Sequence, residues 1–364
     1  VWLIRLSKPF IRFRLNRRHN RFFVVFGGFL YLRNIWGAKI LSRHVVGESR
    51  QPPQDVIFYS RANWKGLLTK PAAGTIALTI PHLGRFGNAM ADFIPALARA
   101  LQLGIGHVII HGDSVIGAPD GLIPTEVYQM GPRLQLWAGK EPRARENGVL
   151  HLVSPKSLNF SIDSESANEA WQLAFNLMFG ADSVEPEPEG CLVIHLRGGD
   201  VYGARLLPNH GQPPLSYYTR ILAEAGWESV KIVHQGPNIP VLQPLIEHCR
   251  KLELPVETHS KSFQEDMVAL LGARTLVVGR GSFAPAVVGL SPWVRKVYYF
   301  QSGFGLNPPK SGLSLQRLYD HDGEFVRTNL HNLWRNTPEQ VHLMLTYPEV
   351  NLASDPVHFT GNPS

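Results

Sequence analysis

The stretch Cys191-Leu-Val-Ile-His-Leu-Arg-Gly-Gly-Asp200 decides how this chain is read. Its first six residues form a short apolar run of the kind that makes a strand buried on both faces. The run passes without a break into Arg197, two glycines and Asp200. A strand end does not accept His195 and Arg197 on one face unless that face is a site, because a buried guanidinium without a partner is costly. The simplest partner is an anion that arginine grips with two parallel hydrogen bonds, a phosphate or a carboxylate. An internal Arg197–Asp200 pair that only ends the strand is the structural alternative.

Downstream, strand-like runs at residues 230–234, 274–278 and 296–300 alternate with helical patterns near residues 215–225, 241–252, 263–271 and 283–290. Ser262-Phe-Gln-Glu265 is a capping box that opens the third of these helices. Strands alternating with helices predict an α/β fold with a parallel, doubly wound sheet. Upstream, residues 74–80 (GTIALTI) and 107–111 (HVIIH) read as strands on either side of a helix over residues 88–103 that contains Pro95. A second capping box, Ser166-Ala-Asn-Glu169, opens a helix that stops at Gly180. The acidic, patternless stretch VEPEPEG at residues 184–190 marks a domain boundary. The expected organisation is an arm and linker over residues 1–72, Rossmann-like domains over 73–188 and 189–345, and a tail over 346–364. Residues from Gly303 onward read as loop-rich, with one helix at residues 338–345.

Composition agrees with a folded chain of more than one domain: 364 residues, 44% hydrophobic and 18% charged, with 33 glycines and 28 prolines. Disorder, collagen and a disulfide scaffold are excluded. Cys191 and Cys249 are expected to be free thiols. The net charge of +7 is concentrated at one end. Residues 1–50 hold eleven Lys or Arg against Glu48, or +10, which leaves −3 for the rest. Within this arm the apolar run FFVVFGGFLYL at residues 22–32 is too short to span a bilayer as a helix, and its Gly27-Gly28 pair weakens any helix. Aromatics interleaved with arginines fit a segment lying on an anionic membrane surface, through residues 1–45; a strand packed on the body is the alternative. No signal-peptide cleavage pattern follows. A peripheral place at the cytoplasmic, inner face of a membrane is expected. Nucleic acid is disfavoured as a partner, because the body is acidic and carries no RNA or DNA motif.

In an open parallel sheet, ligands bind beyond the carboxyl ends of the strands, where loops enter helix N-termini. Three segments occupy that position. Gly84-Arg-Phe-Gly-Asn88 precedes the first helix, where Gly84 and Gly87 allow close approach, Arg85 adds charge and Asn88 offers a donor and an acceptor. Asn88 as a plain N-cap is the structural alternative. His195 to Asp200 is the second segment. Gly279-Arg-Gly-Ser-Phe283 is the third, where Ser282 between Gly281 and Phe283 suits a phosphate cradle and equally an N-cap. Together they suggest a nucleoside diphosphate at the mouth of a sheet. A P-loop, GxGxxG, HExxH and paired CxxC are all missing, so no metal site is expected. Asp320-His-Asp322 could hold a divalent cation but reads as a solvated turn.

The order GRFGN, then HLRGGD, then a Ser-Phe junction resembles the GDP-fucose-dependent fucosyltransferase superfamily over roughly residues 80–300. HLRGGD is closest to the α1,2 branch, and GRFGN also looks like the protein O-fucosyltransferase branch. Two positions depart from the family: Gly198 stands where a second Arg is common, and Ala89 where a Gln is common. The resemblance implies a two-domain GT-B architecture and inverting transfer from GDP-fucose or a related GDP-sugar to a glycan or lipid-linked saccharide, with no cofactor and no obligatory metal. It implies that Arg197 holds the departing β-phosphate, that Gly281, Ser282 and Phe283 line the diphosphate site, and that Gly84, Arg85, Gly87 and Asn88 serve from the first domain. Asp266 and His195 are candidates for the nucleoside. Asp200 is the candidate general base by type, with His82 and His210 as weaker ones. A binding protein of the same fold that no longer catalyses is the competing class.

Overall fold

The structure is a computed structural model that describes residues 12–16, 21–26, 29–32, 56–58, 75–80, 85–110, 127–130, 134–138, 150–153, 162–180, 183–203, 208–301, 312–331 and 333–357. The chain divides into two compact units, Val1–Leu173 and Ala174–Ser364.

The first unit opens with a three-stranded antiparallel sheet, β1 (Arg12–Asn16), β2 (Arg21–Phe26) and β3 (Phe29–Leu32), in that order. The apolar run of the basic arm is therefore strand. Its Val and Phe residues favour an extended backbone. Phe26 pairs with Phe29, so two glycines separate the strands, as a two-residue hairpin requires. The unit's main sheet holds β4 (Val56–Phe58), β5 (Thr75–Ile80), β6 (His107–Ile110), β7 (Val127–Met130), β8 (Leu134–Ala138) and β9 (Leu150–Val153), in the order β4-β9-β5-β6-β8-β7. All neighbours are parallel except β7 and β8. Between β5 and β6 lies α1 (Phe86–Leu103), whose Phe86, Met90, Phe93 and Leu97 form a buried stripe at helical spacing. Gly104 ends it in the left-handed conformation, its N–H bonded to the carbonyls of Ala100 and Leu101.

The division between the units falls within α2 (Ser164–Phe179). This helix opens before the expected capping box. Asp163 is its cap, accepting the Ser166 N–H at 2.7 Å and the Ser166 hydroxyl at 3.0 Å. An aspartate side chain is as good an N-terminal acceptor as serine, and here it lies one turn upstream.

The second unit runs β10 (Cys191–Leu196), α3 (Leu215–Leu222), β11 (Ser229–His234), α4 (Leu242–Lys251), β12 (Val256–His259), α5 (Phe263–Leu271), β13 (Thr275–Val278), α6 (Phe283–Leu290), β14 (Lys296–Phe300), β15 (Ser314–Asp320), α7 (Glu324–Asn329), α8 (Pro338–Thr346) and β16 (Leu352–Val357). The sheet order is β12-β11-β10-β13-β14-β15-β16, parallel throughout except for the last pair. Numbered along the chain, its six parallel strands take the order 3-2-1-4-5-6 of a Rossmann sheet. The fold class is thus α/β, with a parallel sheet in each unit. Strand order reverses between β10 and β13, the point beyond whose carboxyl ends open parallel sheets bind their ligands.

Consecutive residues Cys191, Leu192, Val193 and Ile194 are all buried, so both faces of β10 are covered. Cys191 and Cys249 are buried free thiols. The stretch before β10, though patternless in sequence, is tied to this unit: the Val184 carbonyl accepts the Trp293 indole N–H, and the Glu187 carboxylate meets Lys231 Nζ at 2.5 Å. Residues beyond Gly303 carry more regular structure than their composition suggests, because β15 and β16 complete the sheet edge. Their sequences, SLQRLYD and LASDPV, are mixed in polarity: β16 is the edge strand, and β15 beside it buries Leu315, Leu318 and Asp320.

Candidate functional site

The reversal point of the second sheet brings two of the three sequence junctions together. His195 pairs with Val278 across β10 and β13, so the residues that follow, Arg197 on one strand and Gly279 to Ser282 on the other, leave the sheet side by side. Arg197 Nη1 reaches the carbonyl of Arg280 at 3.5 Å. Gly281 is the residue that makes room for it. Its φ is +130°, and a Cβ placed there would lie 2.3 Å from Arg197 Nη1, so both backbone conformation and space require glycine. The guanidinium thus lies against a glycine at the mouth of α6. Ser282 occupies the N-cap position of α6, with helical φ and ψ and no side-chain cap hydrogen bond.

The second close approach is at Gly198, where a Cβ would fall 2.1 Å from the Gln235 carbonyl oxygen. The loop after β10 packs directly on the loop after β11, which leaves no room for a second arginine at this position. Asp200 lies in a 3₁₀ turn, Gly199–Val201, and its side chain is outside the described set.

Three further residues hold the junctions in place, and the sequence reading missed all of them. Gln212, 3% exposed, accepts the Arg280 N–H at 3.2 Å and donates to the carbonyls of His210 at 2.8 Å and Arg280 at 3.4 Å. Tyr217, fully buried, donates its hydroxyl proton to the carbonyl of Val278, the last residue of β13, at 3.0 Å. Trp334, also fully buried, donates to the carbonyl of Val201 at 2.8 Å. Each is a polar tip on a side chain sunk in the core, which pins a loop without exposing a charge. Nothing local in their sequence surroundings announces this. Gly211 through Pro214 are buried, and Trp334 N–H donates to the Pro208 carbonyl.

Beside Arg197 the site is aromatic. The His195 and Phe283 rings are 4.9 Å apart, and Phe263, 40% exposed, stands 6.3 Å from Phe283. Burial, and then the nearby Arg197 charge, push the His195 pKa down to about 4, so this ring is neutral at physiological pH. Asp266, in the first turn of α5, accepts the Lys261 N–H at 3.0 Å and faces His259 Nε2 at 3.4 Å. Its helix follows β12, which β11 and β10 separate from β13.

The first motif is part of the other unit. Arg85 is the N-cap residue of α1 without a side-chain cap, Gly87 is buried within the helix, and Asn88 is exposed in its first turn. Asn88 is therefore not the N-cap. Ala89 is fully buried, so a longer polar side chain there would enter the core. Gly84 and His82 lie outside the described residues. Asp320 is no solvated turn: it is buried, accepts the N–H groups of Gly323 at 2.8 Å and Val326 at 3.0 Å, and bonds the Tyr347 hydroxyl at 2.5 Å. It caps α7 while Asp322 stays exposed beside His321. Among the described residues, no group of three or more His, Cys, Asp or Glu could hold a metal ion.

Fold and site together define a Rossmann-type α/β protein with a basic, glycine-lined mouth at the strand-order reversal. No family model matches the chain, and no curated protein sequence matches it. Among solved structures it is similar to POFUT1 in complex with GDP, with a TM-score of 0.41 and 11% identity over 65% of this chain and 100% of that one. It is also similar to the E. coli heptosyltransferase WaaC with ADP, with a TM-score of 0.31 and 14% identity over 64% of this chain and 89% of that one. The dodecameric iron-containing heptosyltransferase TibC in complex with ADP-D-beta-D-heptose gives a TM-score of 0.33 and 14% identity over 66% of this chain and 60% of that one.

Proposed function

We propose that this chain is a GT-B glycosyltransferase that moves fucose from GDP-fucose, or the sugar of a related GDP-sugar, to a hydroxyl of a glycan or lipid-linked saccharide, with inversion and without a metal. The observation that carries this reading is Arg197, held over Gly281 at the point where strand order reverses and beside the N-terminus of α6. As the bond between the anomeric carbon and the β-phosphate oxygen breaks, the diphosphate gains negative charge. A fixed guanidinium and a helix N-terminus aimed at it stabilise the transition state more than the ground state. Because the loop is pinned beforehand by Gln212 and Tyr217, little reorganisation is needed at the moment of reaction.

In this reading Asp200 takes the proton of the attacking hydroxyl. Phe283 and the neutral His195 border the nucleotide, and Asp266 serves its base. The test is nucleotide-dependent stabilisation followed by turnover. GDP should raise the melting temperature and UDP should not, since a ligand at about 100 times its Kd adds about 2.7 kcal/mol. GDP-fucose with glycan acceptors should release GDP, and EDTA should leave that release intact. Equal stabilisation by UDP overturns the guanine assignment, and GDP binding without release on any acceptor shows a binding protein instead.

A further inference from the structure

Arg280 stands between the two residues that hold the α6 mouth, yet its own side chain is unused. Its N–H bonds Gln212 Oε1, and its carbonyl accepts from both Gln212 Nε2 and Arg197 Nη1. Its guanidinium makes no hydrogen bond, ion pair or aromatic contact among the described residues, and its Nη1 is closed off from solvent with no partner. No carboxylate answers it, in a unit where other partly buried cations are answered: Lys231 by Glu187, Arg317 by Asp355. A guanidinium that stays ionised cannot relieve the cost of burial by losing its proton, so an unpaired one is strongly unfavourable until an anion arrives. Burial accordingly lowers the pKa of Arg280 from its ordinary value.

We infer that Arg280 is the second cation of the anion site, gripping the α-phosphate of a nucleoside diphosphate while Arg197 grips the β-phosphate. The inference rests on the nucleotide-sugar reading above and adds a second phosphate-binding residue to it. The diphosphate bridge of a nucleotide-sugar carries about two negative charges, and two arginines are the fitting complement. Arg197 Nη1 touches the carbonyl of Arg280 and lies against Gly281, so the two side chains start from adjoining positions at the mouth of α6. A nucleoside monophosphate keeps only the α-phosphate, and so calls on Arg280 and not on Arg197.

The experiment compares GDP and GMP binding by calorimetry on the full chain and on Arg280→Gln and Arg280→Lys, with melting temperatures measured alongside. Wild type should bind GDP more tightly than GMP. Arg280→Gln should weaken GDP and GMP alike, each about 10- to 100-fold, the worth of one charged hydrogen-bonded contact, because both nucleotides carry the α-phosphate. Arg280→Lys should recover part of the GDP affinity, because the charge is kept and the fork is lost. Without ligand, Arg280→Gln should melt no lower than wild type, since it removes an unpaired charge. Undiminished GDP binding by Arg280→Gln, or a loss for GDP with GMP binding unchanged, overturns the inference. Failure of wild type to bind either nucleotide overturns the nucleotide-sugar reading itself. Should Arg280→Gln melt much lower than wild type, the guanidinium has a structural partner, and that also overturns the inference.

Discussion

At the scale of single residues, the site turns on the difference between a guanidinium that is placed and one that merely ends a strand. Arg197 lies on Gly281 and touches a carbonyl, a position that fixes its plane. Replacing it by Lys keeps the charge and loses the two-pronged grip. We expect Arg197→Lys to lower turnover about 100- to 1,000-fold, roughly 3 to 4 kcal/mol of barrier, with a melting temperature close to that of wild type. Steady-state kinetics beside a thermal melt check this. Near-normal turnover in well-folded Arg197→Lys protein removes the transition-state role.

Among elements, the decisive contacts are between loops, and they are made by backbone. The turn after β10 leans on the turn after β11 at Gly198, and the loop before α3 is held to the loop before α6 by Gln212. Such packing lets three strand-to-helix connections act as one rigid surface, as a preorganised anion site requires. A methyl group at position 198 has to push back a peptide rather than a flexible side chain. Gly198→Ala should therefore destabilise the second unit by about 1 to 3 kcal/mol, the usual cost of overpacking. Chemical denaturation measures it. Unchanged stability would mean that the two turns separate freely and that their contact does not set the site.

For the molecule as a whole, charge and fold are divided along the chain. The described strands of the basic arm form a three-stranded sheet that, among the described residues, pairs with no other strand, whereas Arg197, Arg280 and Gln212 all belong to the second unit. No helix among the described residues is long and apolar enough to cross a membrane. If the arm's +10 charge serves an anionic lipid surface, removing residues 1–45 should weaken binding to phosphatidylserine vesicles and leave the GDP-induced shift unchanged. Co-sedimentation with vesicles and a thermal melt with GDP separate the two effects. Loss of soluble folding on truncation would show instead that the arm completes a core.

The sequence by itself determined the strand–helix alternation of the second unit, and with it the α/β class. Runs such as CLVIHL and FAPAVVGL are apolar throughout because their elements are buried on all sides, and Ser262 and Glu265 cap α5 through purely local bonds. It also placed Arg197 and Gly281 at strand ends, since a charge or a paired glycine after an apolar run is a local signal. Tertiary structure alone decided which strand ends are neighbours. The 3-2-1-4-5-6 order arises from crossovers that no single segment encodes, and it puts residues 83 positions apart, Arg197 and Arg280, in contact. Gln212, Tyr217 and Trp334 became visible only there, because each bonds a backbone group more than 60 residues away. The same holds for Asp320: beside a histidine and a second aspartate it looks like a surface turn, and only the fold over it, with Tyr347 and the start of α7, makes it a buried acceptor. A hydrogen-bond partner distant in sequence leaves no trace in local composition or period, and that is why the site's scaffold, unlike its charged residues, had to be read from the fold.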